Sequence, residues 1–146
     1  MFLNTDFLHD DKIRLALDKT IPGNELLGFV PSYRFFIEDN HGTQMGICDL
    51  RVGYNENTYY GGNIGYRIYE EFRGHRYAER ASKLLIKLAE KHKMPYLIIT
   101  CNPDNIPSRK TIERAGGKFI EKVPLPADSL LRFRGETEKL IYRVEI

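Results

Sequence analysis

At 146 residues the chain has the length of one ordinary domain, enough to bury about 68–70% of its unfolded surface around a single core. With 42% hydrophobic and 29% charged residues, disorder throughout is excluded, and a formal net charge of +2 excludes a general nucleic-acid binder, so any basic site must be local. Cys48 and Cys101 lack the spacing of a disulfide scaffold or a zinc site, no apolar run approaches the ~20 residues of a membrane span, and the N-terminus lacks the basic start and apolar stretch of a secretory signal.

A cytoplasmic protein without a membrane partner is therefore expected. No repeat or Gly/Ser-rich linker divides residues 1–146, which read as one domain. From Asp6 to Lys19 the apolar residues Ile13, Ala16 and Leu17, with Phe7, recur near helical spacing, and Pro22-Gly23-Asn24 ends the run, predicting a first helix. That leaves only Met1 to Asn4 ahead of it, so an opening strand would be very short or missing.

Tyr33 to Glu38 and Gln44 to Val52 read as strands joined by the turn formers Asp39-Asn40-His41-Gly42, a hairpin. A third strand, Gly62 to Tyr69, follows Asn55-Glu56-Asn57. Arg76 to His92 is the clearest helix: Tyr77, Ala81, Leu84, Leu85 and Leu88 share one face, and Arg76, Arg80, Lys83, Lys87 and Lys91 form a basic stripe on another. The stripe reads either as a solvated face or as a surface for a polyanion.

Tyr96 to Cys101 has the continuous apolar pattern of a strand buried on both faces. Pro107 can open a short helix to Ala115, closed by a left-handed residue at Gly116-Gly117, and Lys118 to Val123 and Leu140 to Glu145 complete the strands. The order α, β, β, β, α, β, α, β, β predicts an α/β (α+β) fold, a mixed sheet flanked by helices.

Between the third strand and the long helix the chain turns through Glu70-Glu71-Phe72-Arg73-Gly74-His75. Free N–H groups at a helix start, with the positive end of its dipole, bind anions, and Gly74 would let the backbone approach one closely. A bare βα turn with solvated arginines is the alternative. Thirty residues on, the buried strand ends in Cys101-Asn102-Pro103-Asp104-Asn105 and a helix opens with Ile106-Pro107-Ser108-Arg109-Lys110.

The succession strand–RGxxYA–helix, then strand–NxxSRKxxExxGG, resembles the acetyl-CoA-binding half of the GNAT acetyltransferases over Gly62 to Glu121. Gly61-Gly62-Asn63-Ile64-Gly65-Tyr66 and Leu50-Arg51 resemble a bacterial subgroup of predicted acetyltransferases. The resemblance implies a largely antiparallel sheet whose central strands splay apart near Tyr69 and Cys101, with acetyl-CoA as cosubstrate in the gap. It also implies that Ile68, Tyr69 and Glu70 pair with the pantetheine amides and that Arg73, Gly74, His75, Arg76, Tyr77 and Ala78 hold the pyrophosphate. Asn105 and Ser108 would touch pantetheine or fix their loop.

Two residues depart from the family pattern. Arg76 replaces the central Gly of the pyrophosphate motif, and Ile112 stands where many relatives carry the Tyr that protonates the leaving thiolate. The implied chemistry is direct attack of a primary amine on the thioester, with a backbone N–H near Ile68 stabilising the oxyanion and no metal required.

For the base, Asp49, Tyr60 and Asn63 are the candidates; Asn63 could only orient a water or an amine. Asp49 could instead pair with Arg51 or Arg67, and Tyr60 could simply pack. The acceptor would be a small-molecule or peptide amine, and a homodimer is left open. A CoA-binding module without turnover is the competing reading. GxSxG, GxxxxGK[ST], GxGxxG and HExxH are all absent, which argues against an esterase elbow, a P-loop, a dinucleotide fold and a zinc protease.

Overall fold

In the computed structural model, which describes residues 1–146, the segment expected to open with a helix instead forms a strand, β1 (Ile13–Ile21). The Asp10 carboxylate starts it by accepting from the Lys12 and Ile13 N–H groups at 2.8 and 2.9 Å. Ile13 and Leu15 are buried while Arg14 between them is exposed, which is the period of a strand. The recurrence at 13, 16 and 17 did not mark one buried stripe: Leu17 and Ile21 remain exposed. An opening strand is thus present at full length.

The connection from β1 to β2 (Ser32–Asp39) holds only a 3-10 turn at Glu25–Leu27, with Asn24 accepting from Leu27 N–H and Gly28 left-handed at φ 73°. β1 and β2 pair antiparallel from Ile13↔Asp39 to Ile21↔Ser32. The predicted hairpin then forms: Asp39 accepts from His41 and Thr43 N–H, and Gly42 supplies φ 80° before β3 (Gln44–Arg51).

A six-residue helix, α1 (Glu56–Gly61), lies ahead of the third predicted strand, where no element was expected. Asn55 and Thr58 close it with a capping box, each side chain accepting from the other's backbone N–H. There follow β4 (Ile64–Ile68), a 3-10 turn at Glu70–Phe72, α2 (Tyr77–Lys91), β5 (Tyr96–Cys101), α3 (Ile106–Arg114), β6 (Lys118–Pro124), the short α4 (Leu130–Phe133) and β7 (Glu138–Glu145). Gly116 is left-handed at φ 101°, as the end of α3 requires. No helix is long and apolar enough to cross a membrane.

The strands form two antiparallel sheets, β1-β2-β3-β4 and β5-β7-β6, so the α+β architecture of antiparallel strands flanked by helices is the one that forms. Ala81, Leu84, Leu85 and Leu88 of α2 pack with Phe35, Ile37 and Leu50 of the first sheet and Leu97, Ile99 and Tyr142 of the second in one core. The basic stripe of α2 is largely engaged within the chain. Arg80 pairs with Asp10 and Asp11, Lys83 pairs with Glu79, and Lys91 lies over the Phe7 ring.

One residue joins the two sheets. Asn63 donates its backbone N–H to the Ile98 carbonyl at 2.6 Å, and its side-chain oxygen accepts from Ile98 N–H at 2.9 Å. Past this point no ladder links β4 to β5, and the strands are open to a ligand between them.

Candidate active site

The site is the free edge of β4. Tyr69 donates its N–H to the Met45 carbonyl and Arg51 donates to Asn63, which sets the phase of the β3–β4 ladder. By alternation Gly65 and Arg67 are turned to β3, whereas the backbone groups of Ile64, Tyr66 and Ile68 face the gap toward β5. Of the three residues expected along pantetheine, Ile68 therefore has gap-facing groups. Tyr69 N–H is committed to β3, and Glu70 lies in the 3-10 turn, where its carbonyl accepts from Arg73 N–H.

Arg73 also fastens the following turn to the strand, its Nε donating to the Ile68 carbonyl at 3.0 Å. Gly74 has φ 91° and nothing within 4 Å of where a Cβ would sit. Arg76, standing where the family motif has Gly, has φ 61° and ψ 28° and makes no side-chain cap. The motif Gly is thus explained by backbone geometry: this position is left-handed, which L residues adopt only at a cost of about 1–2 kcal/mol.

The consequence is a row of open donors. None of the N–H groups from Gly74 through Glu79 has an acceptor in the chain. His75 is exposed with its ring 5.5 Å from that of Tyr77, whose side chain packs on the core, and Ala78 sits in the first turn of α2. A row of free N–H groups at the start of a 15-residue helix has the polarity that suits an anion.

Across the gap, Asn105 caps α3, its side chain accepting from Ser108 N–H at 3.2 Å. The Ser108 hydroxyl is hydrogen-bonded to the Tyr66 hydroxyl at 2.7 Å, a link from α3 to β4. Burial pushes the Tyr66 phenol up to about 12, with the Ser108 hydrogen bond opposing, so it stays protonated. Ile112 is 1% exposed and fills the core, offering no hydroxyl.

Tyr66, Ser108, Asn105, Cys101 and Asn102 line one side of a cavity of about 920 Å³. The Asn102 side-chain oxygen is buried and has no partner in the chain. Cys101 is a free thiol, raised by burial against the lowering effect of Lys139 and Arg109.

The three candidates for the base separate in space. Asn63 is fully buried and its amide is saturated, donating to the Arg51 and Gly53 carbonyls and accepting from Ile98, so its position is that of a framework residue. Tyr60 lines the cavity, and its carbonyl accepts from the Thr100 hydroxyl. Asp49 lies on the other face of the sheet from Tyr66, beside Gly65, where a Cβ would strike its carboxylate.

Burial raises the Asp49 carboxyl, and Arg51, 3.0 Å away, and Arg34 oppose that rise. Arg51 also donates to the Gly61 and Gly62 carbonyls, holding the α1–β4 junction. The sequence reading missed Tyr66 as a site residue. Its signals were its place two residues before Ile68 on the same strand edge and its position at the end of the run Gly61 to Tyr66.

A family model for the GNAT acetyltransferase domain matches residues 10–118. No curated protein matches the chain by sequence. Among solved structures, a chain assigned as a ribosomal-protein-serine acetyltransferase from Vibrio cholerae is similar over 84% of this chain and 68% of its own, at 20% identity and TM-score 0.61.

The microcin C7 self-immunity acetyltransferase MccE, solved with acetyl-CoA and AMP, is similar at 18% identity and TM-score 0.61, over 79% of this chain and 61% of its own. A GNAT-family acetyltransferase from Bacillus anthracis is similar at 18% identity and TM-score 0.62, over 77% of this chain and 65% of its own. This chain thus spans less than two thirds of the latter two. With the family model covering most of its length, on a fold of two sheets with no ladder between β4 and β5, the chain belongs to the GNAT acetyltransferase family.

Proposed function

We propose that this protein transfers an acetyl group from acetyl-CoA to a primary amine by direct attack with both substrates bound. The observation that carries the proposal is the row of unpaired N–H groups from Gly74 through Glu79 at the end of β4, beside a gap that no ladder closes. The residues present fit the cosubstrate: the cradle suits a pyrophosphate, and the gap-facing backbone of Tyr66 and Ile68 suits a chain of amides. Acetyl-CoA supplies the thioester that the amine attacks.

In this reading the Ile68 N–H donates to the thioester carbonyl oxygen and Arg76 turns its side chain outward. The Tyr66 hydroxyl, kept protonated by burial and held by Ser108, donates to the sulfur as the carbon–sulfur bond breaks. A thiol of ordinary pKa near ~8.5 is a tolerable leaving group with that help. Asp49, on the far face of β4 and with its carboxyl shifted by burial toward proton uptake, receives the amine's proton through water, and Tyr60 borders the acceptor's path.

Isothermal titration with acetyl-CoA, followed by thiol release across a panel of amines, tests the proposal. Binding with amine-dependent release is the expected result, and absence of binding at high micromolar acetyl-CoA sinks it. Ile112 in the core favours the reading of a CoA-binding module without turnover. Tight binding with no thiol release from any amine would establish that reading instead.

A further inference from the structure

The cavity beside β4 has a second wall unrelated to the cradle. The β1–β2 connection contributes Leu27 and Phe29, which are 63% and 50% exposed, and the segment before β7 contributes Leu130, 70% exposed, with Leu131. Large apolar side chains this open to water on two segments that line a single cavity mark a ligand surface, because exposing them is otherwise unfavourable.

The charges on the same wall are few. Arg51 is committed to Asp49 and to two carbonyls, and Lys139 is paired with Glu136 at 2.7 Å. Glu56, at the start of α1, and Asp128, just ahead of α4, line the cavity without an ion-pair partner; Arg134 is the one unpaired cation. The mouth therefore presents apolar side chains with a small excess of free carboxylate, which complements an ammonium group on an apolar body.

We infer that the acceptor is a small primary amine carrying an aromatic or aliphatic body, seated between Leu27 and Leu130 with its ammonium group guided by Glu56 and Asp128. The inference rests on the acetyl-transfer reading for its chemistry but not for its binding surface. A polycation would leave the apolar wall wet.

The test compares phenethylamine with spermidine and a lysine peptide, first by titration into the free protein and then by thiol release. Phenethylamine should bind the free protein and give kcat/KM about tenfold or more above the polar amines, the scale of discrimination that an apolar pocket supplies. The double variant Leu27→Ser with Leu130→Ser should erase that preference while acetyl-CoA binds unchanged.

Equal or better turnover of spermidine or the peptide overturns the inference, as does an unaltered preference in the double variant. If acetyl-CoA does not bind but phenethylamine does, with loss in the double variant, the acetyl-transfer reading fails and the apolar-amine surface stands. If neither binds, both fail.

Discussion

Arg76 carries a left-handed backbone that the family motif gives to Gly, and its side chain caps nothing. Replacing it removes the ~1–2 kcal/mol penalty of that conformation, offset in part by the ~0.5–1 kcal/mol of extra flexibility of Gly in the unfolded chain. Arg76→Gly should therefore raise the midpoint of thermal unfolding slightly and leave acetyl-CoA affinity intact, because the cradle donors are backbone groups. A loss of affinity would show that the Arg76 side chain itself meets a phosphate. Gly74, at φ 91°, is a poorer place for such a test, since any side chain strains the turn whatever room it has.

Tyr66 gives a sharper chemical prediction. Tyr66→Phe keeps the ring against the core and removes the hydroxyl that meets Ser108, so kcat should fall about a hundredfold with KM for acetyl-CoA nearly unchanged. Equal turnover by the variant would remove Tyr66 from the mechanism.

His92 predicts a pH effect on stability. The Tyr33 hydroxyl accepts the Leu3 N–H at 2.8 Å and is hydrogen-bonded to His92 Nε2, 2.5 Å away. Burial, then the N-terminal charge, holds the His92 pKa below its ordinary 6.5. The unfolded chain thus takes up a proton first as pH falls. Stability is full above pH 6.5, declines below it, and levels off once the folded ring also protonates. His92→Gln should flatten that part of the curve of melting temperature against pH.

Among the elements, α2 was readable from its apolar stripe and β5 from its continuous apolar run, because each pattern is local. β1 was not: Ile13, Ala16 and Leu17 mimic helical spacing, and only pairing with β2 brings out the alternation of Ile13 and Leu15. α1 is shorter than any periodic signal, and Asn55 and Thr58 reveal it only through their reciprocal cap. The turn before α2 was legible as a helix start, yet which of its N–H groups are free depends on the left-handed residue ahead of it.

That start permits a test that separates fold from binding. An acidic side chain in the first turn of a helix favours the helix, whereas the same charge repels a phosphate. Ala78→Glu should leave the melting temperature equal or slightly raised and lower acetyl-CoA affinity at least tenfold by titration. Unchanged affinity would move the pyrophosphate elsewhere.

On the scale of the molecule, two sheets meet through Asn63 and then part. Asn63→Ala would leave the buried Ile98 N–H without its partner, at a cost of about 1–3 kcal/mol, and would free the half-buried Arg51 and Gly53 carbonyls to water. Chemical denaturation should register a loss of about 1–3 kcal/mol. An Asn63→Ala protein of full stability but low turnover would instead return Asn63 to the catalytic group.

The family and the starts of α2 and α3 were legible in the sequence alone, because each shows in a short run of neighbouring residues. Three matters were decided only by the tertiary structure. They are the opening strand, the placing of Asn63 between the two sheets, and the meeting of Tyr66 with Ser108 across 42 positions of chain. Strand pairing and a satisfied buried amide are properties of partners far away in sequence, and no local pattern encodes which partner arrives.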